Sequence, residues 1–96
     1  MAEREVEVRN PSGLHARPAA TFVRAAAGYG ADVTITNLTR NPDKSASAKS
    51  VLGVMGLGVS SGHRIRIAAE GADADTAVAG LTELVDSGLG EDLAGE

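Results

Sequence analysis

The chain has 96 residues, room for one compact domain and none for a second. Its 43% hydrophobic and 23% charged residues place it among chains that fold into a globular core, away from disordered or membrane-spanning composition. Nine Lys and Arg against thirteen Asp and Glu leave a formal net charge of −4, the wrong sign for a protein that holds nucleic acid mainly through phosphate contacts. The absence of cysteine removes disulfide scaffolds, thiolate metal sites and cysteine nucleophiles together. The first five residues hold no apolar run of the signal-sequence kind, and no stretch approaches the roughly 20 apolar residues of a membrane span, so a cytoplasmic protein without direct membrane insertion is expected.

Residues 3 to 9 alternate, with Val6 and Val8 on one side and Glu5, Glu7 and Arg9 on the other, the period of a strand covered on one face. Asn10-Pro11-Ser12-Gly13 stops it. From Pro18, apolar residues at Ala19, Phe22, Val23 and Ala26 keep helical spacing, and Gly28 is a natural stop. A second strand is expected over 32 to 38, with Val33 and Ile35 inward, then a polar turn through Thr39-Arg40-Asn41-Pro42-Asp43 and a short third strand at about 44 to 49. Ser50 would cap a short helix from Val51 to Leu57, stopped by Gly58. Ile65 and Ile67 alternate with Arg64 and Arg66 in a fourth strand over 63 to 69. Asp73 and Asp75 then cap and charge the start of a last helix carrying Ala77, Leu81, Leu84 and Val85, which Gly88 ends. Strands that alternate instead of being apolar throughout favour an α+β fold, an open-faced sandwich of four antiparallel strands with helices on one face. The domain is expected to occupy residues 1 to 90, with 91 to 96 a disordered tail.

The stretch Ser12-Gly13-Leu14-His15-Ala16-Arg17-Pro18 puts a histidine at a helix N-terminus. The backbone N–H groups of Ala16 and Arg17 would face the imidazole, and the helix terminus and the Arg17 guanidinium both favour an anion placed on the ring. A neutral histidine nucleophile that becomes a phosphohistidine fits these needs. The terms are small, about 0.3–1 kcal/mol for an exposed helix terminus and about 1.5–3 kcal/mol for a hydrogen bond to a charged group. They hold a phosphoryl group without trapping it. No metal-ligand spacing, nucleotide loop or cofactor motif accompanies the histidine, so the reading is a relay and not an enzyme in its own right.

The segment Gly13-Leu14-His15-Ala16-Arg17-Pro18-Ala19 resembles the active-site signature of the HPr family, the histidine-containing phosphocarriers of the bacterial phosphoenolpyruvate-dependent sugar phosphotransferase system. A second segment, Lys49 to Gly58, is similar to the family's signature around a regulatory serine, here Ser50. The resemblance implies that His15 accepts a phosphoryl group on Nδ1 from phosphorylated enzyme I and donates it to IIA components of sugar permeases, with Arg17 steadying it. It implies strand order 1-4-2-3 with three helices on one face, no cofactor or metal, and a monomer. Partners would dock at Ala16, Arg17, Ala20, Arg24, Val51, Leu52 and Met55. An HPr kinase/phosphorylase would act on Ser50, whose phosphate would fall inside that docking patch and weaken it. The 38–44 turn looks longer than the family's usual hairpin.

The composition of 51–57 agrees independently with a docking patch, since Val51, Leu52, Val54, Met55 and Leu57 exceed what one buried face can use. His63, at a strand start after Ser60-Ser61-Gly62, reads as structural. Two other functions stay open: the same carrier chemistry in a nitrogen-regulatory or dihydroxyacetone kinase branch, and a binding module that recognises RNA on the open sheet, the latter disfavoured by acidity and the lack of strand aromatics.

Overall fold

A computed structural model describes residues 2–90, so the tail expected over 91–96 lies outside the described residues. The elements run β1 (Ala2–Glu7), α1 (Ala16–Ala27), β2 (Asp32–Asn37), β3 (Ser45–Ser47), α2 (Val51–Gly56), β4 (Arg64–Glu70) and α3 (Ala74–Asp86). The four strands form one antiparallel sheet in the order β1-β4-β2-β3. The element order and the strand order are those expected.

Alternation sets the two faces of the sheet. On the inner face Val6 opposes Ile65, Ile35 opposes Ile67 and Val33 opposes Ala69, all buried against the helices. Phe22 and Ala26 of α1, Val54 of α2 and Leu81 and Val85 of α3 complete the same core, each large side chain contributing about 1.5–3 kcal/mol of burial. On the outer face Glu5 Oε1 meets Arg64 Nε at 3.2 Å and Glu3 Oε2 lies 3.8 Å from Arg66 Nε, diagonal cross-strand pairs that neutralise an exposed surface. Among the described residues, no helix is long and apolar enough to cross a membrane.

Several boundaries shift. β1 ends at Glu7 instead of residue 9, although Val8 stays buried and keeps backbone bonds to His63 and Gly62. β3 contracts to three residues, and α2 ends at Gly56 with Leu57 as its C-cap. The helix expected from Pro18 is assigned from Ala16, but Ala16 has φ 48°, so the right-handed path starts no earlier than Arg17. Pro18 therefore lies in the first turn, where its missing N–H has no cost. Asp73 occupies the cap position of α3, where its backbone carbonyl accepts the Ala77 N–H at 2.8 Å but its side chain makes no capping bond. Its carboxylate instead accepts the Gly30 and Ala31 N–H groups at 2.9 and 2.8 Å, tying the α1–β2 turn to the start of α3.

The register brings three connections to one end of the sheet. Glu7 pairs with Arg64 and Asn37 with Ile65, so the ends of β1 and β2 and the start of β4 are neighbours. The β1–α1, β2–β3 and α2–β4 loops consequently gather there, and the first of them carries His15.

Candidate functional site

His15 occupies the N-cap position of α1 with extended dihedrals, φ −119° and ψ 150°, and its side chain makes no capping bond. The loop before it is held from below. Asn10, fully buried, donates through Nδ2 to the Gly13 carbonyl at 2.8 Å, and Gly13 N–H returns to the Asn10 carbonyl at 3.1 Å. Leu14, also fully buried, donates its N–H to the Val59 carbonyl at 3.0 Å. On the other side of the histidine, Pro18 and Ala19 are buried under the first turn of α1. A chain anchored at Leu14 and again at Pro18 has three residues between, and His15, Ala16 and Arg17 are all exposed. Burial of the flanks thus orients the imidazole outward at the positive end of a twelve-residue helix.

Gly13 is required by geometry. Its φ is 59°, and a Cβ there would run into the Val59 carbonyl and lie 2.8 Å from Ser60 Cα. The glycine lets the β1–α1 loop lie flat on the irregular segment that follows α2. Reading the sequence alone missed Asn10 and Val59 as supports of this loop, because both act through contacts set by the fold.

α1 packs against α2. Ser50 caps α2 as expected, its Oγ accepting the Gly53 N–H at 3.0 Å, and the residue is exposed. Beyond it, Leu52 is 85% exposed and Val51 39%, whereas Val54 is fully buried. Met55 is half-buried and packs on the core, and Ala20 on α1 is half-buried as well. Arg24 stands exposed in the last turn of α1. The expected docking residues are therefore brought to adjacent helices, with Leu52 as their most prominent apolar group.

His63 is a structural residue. Its Nδ1 receives the Ser60 N–H at 3.1 Å and lies 3.1 Å from Asn37 Nδ2, which fixes it as an acceptor within the α2–β4 loop. Two surface depressions, of about 370 and 270 Å³, lie on β2 and its sheet neighbours around Asp32 and Thr34, and His15 lines neither. Among the described residues no cluster of His, Asp or Glu could hold a metal ion.

Residues 2–87 match the family model described as the PTS HPr component phosphorylation site. The chain is 45% identical over 91 residues to the phosphocarrier protein HPr of Streptomyces coelicolor, covering 95% of each. It is 42% identical over 87 residues to the multiphosphoryl transfer protein of Escherichia coli O157:H7, a match that takes in 91% of this chain and 23% of that longer protein. The crystal structure of HPr-C-His from Thermoanaerobacter tengcongensis superposes with a TM-score of 0.88 at 40% identity, covering 97% of this chain and 100% of that one.

Proposed function

The chain belongs to the HPr family of phosphotransferase-system phosphocarriers, and we propose that His15 is its phosphoryl acceptor, charged by phosphorylated enzyme I and discharged to IIA components of sugar permeases in the cytoplasm. The observation that carries this reading is the exposed, uncapped imidazole of His15 at the start of α1. The neutral ring attacks phosphorus through Nδ1; an Nδ1–P bond forms as the bond from phosphorus to the donor breaks, and the donor group leaves with its electron pair. The ring's single N–H proton stays on Nε2. The new phosphoryl oxygens face the first-turn N–H groups of Ala16 and Arg17, which have no intrahelical carbonyl to bond, and the Arg17 guanidinium adds a full positive charge. Transfer onward reverses the same bond exchange.

The protein donor and acceptor bind across α1 and α2, on Ala20, Arg24, Val51, Leu52 and Met55. Leu52 supplies the apolar contact and Arg17 and Arg24 the attraction to acidic partners. Ser50 phosphorylation regulates the carrier by setting about two negative charges beside that leucine. The exposure of the Ser50 hydroxyl beside Val51 and Leu52 supports this reading.

Incubation with enzyme I, magnesium and phosphoenolpyruvate tests the carrier role. Intact mass should rise by one phosphoryl group for the native chain and not for His15→Ala. A phosphoryl group that survives the substitution places the acceptor elsewhere. Treatment with HPr kinase and ATP should add one phosphate that Ser50→Ala abolishes, and it should slow subsequent charging of His15.

A further inference from the structure

The β2–β3 loop brings a guanidinium to the functional end of the molecule. Arg40 Nη1 occupies the place where a Cβ on Gly58 would stand, with Arg40 Cδ 3.4 Å from the same point. Only glycine leaves that space, and Gly58, at φ 65°, is also in the conformation glycine favours. The next residue, Val59, accepts the Leu14 N–H, and Leu14 precedes His15. Gly58 and Val59 thus form a two-residue bridge between Arg40 and the histidine loop. The backbone of Arg40 is pinned as well, its N–H donating at 3.2 Å to Oδ1 of the buried Asn37.

The arginines of the chain differ in whether a carboxylate already holds them. Arg9, Arg64 and Arg66 each pair with a carboxylate on this chain, at 3.2, 3.2 and 3.8 Å. Among the described residues no ion pair engages Arg40, Arg17 or Arg24. The arginines near His15 and α2 are left for an outside partner, while on the sheet Arg64 and Arg66 are paired and only Arg4 of β1 is not, among the described residues.

From this arrangement we infer that Arg40 is a third docking cation, pairing with a carboxylate on the protein phosphoryl donor beside the histidine loop. The inference rests on the carrier function proposed above. A guanidinium already laid across Gly58 has less freedom to lose on pairing than one on an unsupported loop. A rim charge acts mainly on encounter and is screened by salt, so its signature is kinetic.

The test is steady-state charging of the full chain by enzyme I and phosphoenolpyruvate at low salt and again near 1 M salt. Arg40→Ala should raise KM about threefold and Arg40→Glu about tenfold at low salt, with kcat unchanged, and both effects should vanish at high salt. Arg40→Lys should stay within about twofold of the native chain. Thermal melts confirm that each variant is folded. An Arg40→Glu chain whose KM stays within twofold of native, or which loses kcat instead, overturns the inference while leaving the carrier function standing. A native chain that takes no phosphoryl group overturns both.

Discussion

Nδ2 of Asn37 lies 3.1 Å from Nδ1 of His63, joining the end of β2 to the loop that leads into β4. The same amide donates to the Leu57 carbonyl at 3.2 Å, and its oxygen accepts the N–H groups of Thr39 and Arg40, each at 3.2 Å. At 1% exposure, Asn37 cannot exchange these partners for water. Asn37→Ala should therefore cost about 2–4 kcal/mol, since several buried groups lose their partner together. Urea denaturation measures this; a loss below about 0.5 kcal/mol would show that solvent replaces the amide freely.

The Gly13 backbone sets the height of the histidine loop. Gly13→Ala places a methyl group against the Val59 carbonyl, the same oxygen that accepts Leu14 N–H, and forces an L-residue to hold φ 59°. The left-handed conformation alone costs roughly 1–2 kcal/mol, and the clash adds to it. The variant should lose at least about 2 kcal/mol and charge slowly even at temperatures where it remains folded. Native charging kinetics in Gly13→Ala would show that the loop need not lie against Val59.

How much of this was legible in advance depended on the reach of each interaction. Ser50 and its acceptor role were readable because the bonded N–H is three residues away on the same helix. Phe22 and Ala26 were readable because helical periodicity is local. Asp73 stands at the expected cap position, but the partners of its carboxylate were not readable because those donors lie 43 and 42 residues away, across a fold that sequence spacing does not encode. Leu89 went unread for a related reason. The chain turns back after α3 through Gly88 at φ 97°, and Leu89, its N–H on the Leu84 carbonyl, enters the core. The residues of the candidate site were named from a local motif, whereas Asn10, Asn37 and Val59, which hold it in place, needed the tertiary structure.

Asp73 separates stability from the site. Its two carboxylate oxygens hold the Gly30 and Ala31 N–H groups at the α1–β2 turn, past the end of α1 remote from His15. Asp73→Ala should cost about 2–3 kcal/mol, and Asp73→Asn roughly half as much because one acceptor remains. Charging by enzyme I should keep native kcat and KM below the lowered melting temperature. A kinetic defect in a fully folded Asp73→Ala chain would mean that the turn communicates with the histidine loop.

Leu52 and Val54 stand two residues apart on α2 and should respond in opposite ways. Val54 is fully buried, so Val54→Ala removes packed methyl groups and opens a cavity, a loss of about 1.5–3 kcal/mol. Leu52 is 85% exposed, and Leu52→Gln removes little that folding buries, so stability should move by less than about 0.5 kcal/mol. In phosphotransfer the order reverses. Exposed apolar side chains of this size are the anchors that a partner desolvates, and truncating one such anchor costs more than about 1 kcal/mol of binding, roughly a fivefold or greater rise in KM. Val54→Ala should stay near native in KM while it is folded, because its side chain never reaches the partner. Equal KM effects from the two substitutions would place docking somewhere other than the face of α2 that Leu52 occupies.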